Sequence, residues 1–262
     1  MKRKHIVILF SLVSLLTASC SKMDQLFNNG ELVTEQRSLG QRFNTISMFN
    51  NVNVMLVHDN YPHIELTCPE NLISKVTTEI EGDTLFIKNK NEYNWLRSYD
   101  YDINLTVYYD SLREIKYASI GDLLCTDSIK GIGELAVDST EFGIDTLWNR
   151  SFFLSIYEGC GDIDLTFNCN VVKNQFNNGT SKVTMRGISG YTEIIMRSYG
   201  VVHAETLESN FVRVQSHSTN DAYVWARTGL RVWLYSIGNV YYRGNPWISQ
   251  QCENDGQVIK MQ

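Results

Sequence analysis

The chain lacks any cluster of lysine and arginine residues, and its formal net charge is −6. Proteins that bind nucleic acid or anionic lipid surfaces concentrate positive charge on one surface, so both are poor candidate partners. Beyond residue 19 the chain also has no apolar run long enough to span a bilayer. Attachment to a membrane is therefore expected to depend on a lipid rather than on a spanning helix.

Closely spaced cysteine pairs are absent as well. No Cys-x-x-Cys occurs, and no second cysteine or histidine stands at zinc-ligand spacing. A disulfide scaffold would show denser, paired cysteines, and Cys160 could meet Cys169 only if the chain between them folded back sharply. We therefore expect no metal, no cofactor and buried free thiols at the cysteines after Cys20, which are Cys68, Cys125, Cys160, Cys169 and Cys252.

The start of the chain has the features of a bacterial signal sequence. Residues 2–4 are basic, residues 6–16 are apolar, and a Thr-Ala-Ser-Cys stretch ends at Cys20. This stretch resembles a lipoprotein box, with Thr17 where leucine is more usual. In that case Cys20 becomes the acylated N-terminus, and acyl chains at about 0.8 kcal/mol per buried methylene hold the protein on a membrane. The alternative is an ordinary signal peptide with a coincidental cysteine.

The stretch from Pro69 to Gly82 has apolar residues at helical spacing. Proline suits a first helical turn because its missing N–H would be unpaired there anyway, and glycine suits the end. The sequence therefore predicts a helix over this stretch, with Leu72, Ile73, Val76 and Ile80 on one side. Alternating apolar residues predict strands around it at 52–57, 64–66, 84–88 and 103–109.

From about residue 112 the sequence repeats with a period near 20. Each repeat has an alternating strand, a corner and a second alternating strand, and the last and most regular copy is residues 230–244. One such turn cannot fold alone, because ordering its backbone costs more than a few inward side chains return. We therefore expect an all-β, right-handed parallel β-solenoid of about seven short turns. The corner residues expected to stack are Ser119, Ser139, Glu158, Asn178, Ser198, Ser216 and Ser236.

An open solenoid exposes strand edges at both ends, and such edges invite aggregation. We expect the N-terminal strands and the short helix to cap one end and residues 246–261 to cap the other. The predicted organisation is a lipoprotein signal peptide (1–19), a flexible tether (20–36) and a single domain (37–261), divided into N-terminal strands plus helix (37–111), repeats (112–245) and C-terminal cap (246–261).

The order of several short motifs is specific. An opening Phe-x-x-Ile phrase at Phe43, the Glu-Asn-Leu start of the predicted helix, Ser-x-Gly-Asp corners and a Val-Tyr-Tyr-Arg-Gly-Asn-Pro ending at 240–246 follow one another. In this order they resemble the putative auto-transporter adhesin head (GIN) domain family, many of whose members are Bacteroidetes lipoproteins. The resemblance implies a β-solenoid and an adhesive role, and it transfers no catalytic residues. The other matching residues are Ile46, Val52, Val54, Gly82, Leu85 and Ile87.

Two corner aspartates could indicate an ion site or an enzyme. Gly159–Asp164 resembles one unit of a calcium-binding nonapeptide repeat, but such repeats need units nine residues apart. Asp122 and Asp162 occupy similar corner positions two predicted turns apart, about 10 Å at the usual strand spacing. That separation lies just beyond the range of a glycosidase carboxylate pair. We therefore expect tight corners and no catalytic residues, and the alternative of a glycan-cleaving β-helix enzyme is weaker.

The aromatic residues are the candidate binding residues. Trp233 and Tyr235 alternate with Val232 and Leu234, so they should point outward, where rings suit stacking on sugars or packing on another chain. We expect a non-enzymatic, lipid-anchored outer-membrane protein that binds glycan or protein, on the surface or the periplasmic side, and self-associates, as a trimer by analogy with adhesin heads. The alternative is a structural or envelope-stress component of the periplasm. The remaining candidate binding residues are Tyr157 and Tyr199.

Overall fold

The computed structural model describes residues 28–92, 101–132 and 150–262. Within these ranges the protein is all-β, with one mixed, curled sheet and one short helix, α1 (Glu70–Ile73). The strands are β1 (Leu32–Ser38), β2 (Thr45–Asn50), β3 (Asn53–His58), β4 (His63–Pro69), β5 (Val76–Glu81), β6 (Thr84–Asn89), β7 (Asn104–Tyr109), β8 (Glu114–Ser119), β9 (Leu123–Cys125), β10 (Ser151–Gly159), β11 (Ile163–Phe176), β12 (Lys182–Met196), β13 (Val201–Ser216), β14 (Ala222–Leu234), β15 (Val240–Arg243), β16 (Trp247–Cys252) and β17 (Val258–Lys260).

The strands pair in two runs, which we call the first face and the second face. The first face has the order β5, β6, β2, β8 and β10, then the second halves of β11 to β14, then β16. The second face has the order β1, β4, β7, β3 and β9, then the first halves of β11 to β14, then β15 and β17. Because β11 to β14 contribute to both faces, the two runs share one hydrophobic core.

Most pairs are parallel and advance by a nearly constant step. Ser151 pairs with Val171, Val171 with Tyr191 and Tyr191 with Phe211, a step of 20 residues per layer. This step agrees with the predicted period near 20. The sheet as a whole is mixed, because β4 pairs antiparallel with β1 and β7, and β5 pairs antiparallel with β6.

Inward side chains stack in columns between the faces. Ile156, Phe176 and Met196 are paired in successive layers, and each is fully or almost fully buried. The neighbouring column contains Asn174, which is also buried, and within the described residues neither atom of its amide group has a hydrogen-bond partner. The core is therefore apolar with one costly exception, since an unpaired buried amide lowers stability.

One predicted layer is missing from the described stack. β8 pairs directly with β10, and in the second face Leu123 of β9 pairs with Ile163 of β11, a step of 40 residues. The repeat expected at Ser139 falls outside the described residues. The predicted uniform stacking from Ser119 through Ser139 to Glu158 is therefore wrong. Periodicity along a chain shows where strands occur, but it does not determine which strands become neighbours.

The predicted helix over 69–81 is also wrong beyond its first turn. α1 ends at Ile73, and β5 then pairs antiparallel with β6. The run Val76, Thr77 and Thr78 is β-branched, which favours a strand. Gly82 has φ = 64° and is the first residue of a two-residue hairpin turn, a position that favours glycine.

Both ends differ from the predicted organisation. β1 begins at Leu32 and pairs with β4 along its whole length, so residues 32–36 are part of the sheet and not of a tether. At the other end β16 and β17 each add one more strand to a face. All six residues of β16 are exposed, so residues 246–261 extend the stack and do not cap it.

The corners between the faces are packed closely enough to require glycine. Gly159 has φ = 137°, and a Cβ there would lie 2.0 Å from the carbonyl oxygen of Ser119 in the preceding layer. A Cβ at Gly161 would lie 2.3 Å from the carbonyl oxygen of Gly121. Below this corner the buried Tyr117 hydroxyl donates a hydrogen bond to Gly121 O at 2.8 Å, and burial raises the pKa of Tyr117 to about 12.

We expect Gly159→Ala to lower the free energy of unfolding by about 3 kcal/mol, because it adds backbone strain and a backbone clash. The matched control is Gly40→Ala. Gly40 has φ = 66° and no atom within 4 Å of the place that an added Cβ would take, so only the strain of about 1 kcal/mol remains. Urea unfolding followed by circular dichroism measures both, and equal losses would contradict the clash.

Candidate binding surface

The corner aspartates bind the backbone of the next layer. Asp162 N–H donates to Asp122 Oδ1 at 2.8 Å, and Asp122 N–H donates to Asn53 Oδ1 at 3.0 Å. The predicted separation of Asp122 and Asp162 by two turns is therefore wrong, because they lie in adjacent layers. The same device recurs near the C-terminus, where Asn239 N–H donates to Asp221 Oδ1 at 2.8 Å.

The carboxylates of Asp122 and Asp221 have a clear structural role. Each one satisfies a backbone N–H at a corner, where the chain leaves one strand and its amides would otherwise lack partners. Within the described ranges, no group of three or more histidine, cysteine, aspartate or glutamate side chains is placed to hold a metal ion.

The thiols divide into buried and exposed groups. All five cysteines in the described ranges are free. Burial raises the pKa of Cys68 to about 11 and that of Cys169 to about 12, and Cys169 Sγ donates to Ile129 O at 3.1 Å. Cys160, at a corner, and Cys252, on β16, are exposed. The expectation of buried free thiols is correct for Cys68 and Cys169 and wrong for these two.

Trp233 and Tyr235 lie together on the outer side of the first face, as predicted from alternation, and both are half-buried. The guanidinium carbon of Arg213 lies 4.8 Å from the centre of the Trp233 ring, and that of Arg231 lies 5.8 Å from it. The ring of His217 stacks on Tyr235 with 4.3 Å between centroids. We call these five residues the Trp233 patch.

Charge on this part of the first face is mostly positive. Glu193 pairs with Lys173 at 2.9 Å and with Arg213 at 3.5 Å. Arg213 in turn pairs through its backbone with Arg231 in the next layer. One carboxylate therefore stands in a column with three cations, and the Trp233 patch lies at the cationic end of it.

The other two candidate residues are elsewhere. Tyr157 is 50% exposed at the end of β10, four layers from Tyr235. Tyr199 is 65% exposed at a corner between β12 and β13, off the first face. The four residues predicted from residue type and exposure therefore do not form one site.

A second aromatic surface was not predicted. On the second face, Tyr223 stacks on His203 with 4.8 Å between centroids and on Tyr241 with 5.0 Å. Next to this ladder, the guanidinium carbon of Arg243 lies 4.3 Å from the centre of the Trp225 ring. The signal in the sequence is that His203, Tyr223 and Tyr241 each follow an inward residue at equivalent positions of successive repeats.

Comparison with known proteins gives the family. The family model described as "Putative auto-transporter adhesin, head GIN domain" matches residues 42–246, which is most of the chain. This protein belongs to that family. The resemblance predicted from the order of its motifs is thus confirmed, and the family indicates an adhesin-like protein of the cell envelope or surface. Among curated proteins, none matches the chain.

Crystal structures of three similar proteins share the fold. A putative adhesin from Bacteroides fragilis has a TM-score of 0.74 at 16% identity, covering 88% of this chain and 97% of its own. A putative adhesin from Parabacteroides merdae has a TM-score of 0.55 at 16% identity, covering 90% and 98%. A putative lipid binding protein from Parabacteroides distasonis has a TM-score of 0.59 at 15% identity, covering 89% and 98%.

The described part of the chain contains no helix with the length and apolar character needed to cross a membrane.

We expect Asp122→Ala to lower the free energy of unfolding by about 1–2 kcal/mol, because the Asp162 N–H loses its acceptor. Asp122→Asn keeps a side-chain oxygen at this position, so it should cost less than about 0.5 kcal/mol. Urea unfolding of both variants tests this. A loss of the same size in both would show that the negative charge, and not the acceptor, is what matters.

Proposed function

We propose that this protein is a lipid-anchored, adhesin-type protein of the outer membrane that binds an acidic glycan through the Trp233 patch. The observation that carries the proposal is the contact of Trp233 with Arg213 and Arg231 on an outward face. An indole gives an apolar surface for the C–H groups of a sugar ring, and guanidinium groups bind carboxylate or sulfate groups with two parallel hydrogen bonds.

The shape of the first face supports an extended ligand. Layers in a sheet are about 4.8 Å apart, so outward side chains recur along the stack at a spacing that a polymer can follow. We propose that the layers form a right-handed parallel solenoid, with β11 to β14 as its regular part. The constant step of these strands supports this, and the N-terminal antiparallel strands would be its closed end.

The binding proposal is tested with a glycan array and isothermal titration against polyuronates and sulfated polysaccharides. We expect Trp233→Ala to weaken binding by about tenfold or more, because it removes the stacking surface and frees the arginine side chains from it. The matched control is Trp225→Ala, which removes a tryptophan in contact with an arginine on the opposite face.

Binding by Trp225→Ala should equal that of the unchanged protein. Equal losses in the two variants would exclude the Trp233 patch as the site, and a protein that binds no acidic glycan on the array would remove the proposal.

The lipid anchor is tested at Cys20. We expect Cys20→Ser to move the protein from the membrane fraction to the soluble fraction and to abolish labelling by an alkyne fatty acid, because the thiol carries the acyl group. Cys252→Ser is the matched control, since Cys252 is an exposed thiol in the folded domain. Membrane association that survives in Cys20→Ser would contradict the anchor.

A structural role in the periplasm makes a different prediction about topology. Protease treatment of intact cells should degrade a surface adhesin and leave a periplasmic protein intact. Intact protein after such treatment would therefore favour the structural role over adhesion.

A further inference from the structure

The two faces end together at the C-terminal end of the stack. β16 ends the first face and β17 ends the second. Among the described strands, β16 pairs only with β14, so one side of its backbone has no strand beside it. Ile248 continues an inward column from Leu230, yet it is 41% exposed, because no further layer covers it.

The opposite end of the stack is protected by charge. The edge strand β1 carries Glu35 and Arg37, and the edge strand β5 carries Glu79 and Glu81. Charged residues on edge strands oppose pairing with other chains, and β16 contains neither a charged residue nor a proline. The two ends therefore differ in kind, and only the β16 end is suited to pairing.

We propose that β16 pairs antiparallel with β16 of a second copy of this chain, around a two-fold axis perpendicular to the first face. The same axis places the β17 strands of the two copies edge to edge on the second face. Both sheets would then continue across the interface, and the inward columns that end at Ile248 would be covered by the other copy. Two-fold pairing of identical surfaces is the commonest form of self-association.

Charges on either side of β16 favour this orientation over a parallel one. Glu253 and Asp255 follow the strand, and Arg243 precedes it. Lys260 Nζ lies 2.6 Å from Asn245 Oδ1, at the same end as Arg243. All four charged residues are exposed. Antiparallel pairing places the acidic end of each β16 against the basic end of the other, whereas parallel pairing places like charges together.

The test uses the full chain in density-matched detergent, with sedimentation equilibrium as the readout. We expect a dimer at tens of micromolar. Glu253→Lys with Asp255→Lys makes both ends of β16 basic, and Arg243→Glu with Lys260→Glu makes both ends acidic. Each double variant alone should dimerise at least about tenfold more weakly, because like charges then meet at both ends of the interface. An equimolar mixture of the two should recover association as a heterodimer.

The matched control changes the same kind of charge at the other end of the stack. Glu79→Lys with Glu81→Lys should leave the dimer unchanged, and thermal unfolding should show that all variants remain folded. A monomer or a trimer for the unchanged chain at about 100 µM would overturn the proposal. So would a mixture that fails to recover, or a control that weakens association as much as the β16 variants. The proposal is independent of the ligand, since the Trp233→Ala titration does not require a dimer.

Discussion

Backbone pairing between successive layers is the interaction on which the rest of this structure depends. A layer of about 20 residues buries too little to order itself, so its strands are stable only between the strands above and below. The step of 20 residues from β10 to β13 follows from this pairing. It aligns inward residues such as Ile156, Phe176 and Met196 into columns, and it aligns outward residues in the same way.

The period could be predicted from the sequence because repeated pairing demands repeated alternation. The choice between helix and strand after α1 could not, since Leu72, Val76 and Ile80 are four residues apart and that spacing suits both. Only the β-branched run and the turn at Gly82 distinguish them. The direct pairing of β9 with β11 was also beyond prediction, because any two alternating strands have compatible inward residues.

For the binding surface, alternation correctly placed Trp233 and Tyr235 on the outside. Their neighbours could not be predicted in the same way. Arg213 reaches the Trp233 ring from a different layer, and bulges between β13 and β14 shift the register by two residues or more. Exposure alone selected Tyr157 and Tyr199, which lie apart from the patch, whereas the ladder of His203, Tyr223 and Tyr241 needed the register itself.

The corner glycines make the layers non-interchangeable. A Cβ at Gly159 would collide with Ser119 O, and one at Gly179 would lie 2.4 Å from Gly159 O. A repetitive chain can mis-stack during folding by skipping or exchanging a whole layer, since each set of apolar columns fits the next almost equally well. An exchange that placed a bulkier residue against either carbonyl would be blocked by steric repulsion. These glycines therefore help to fix the sequence of layers during folding as well as the shape of the corners.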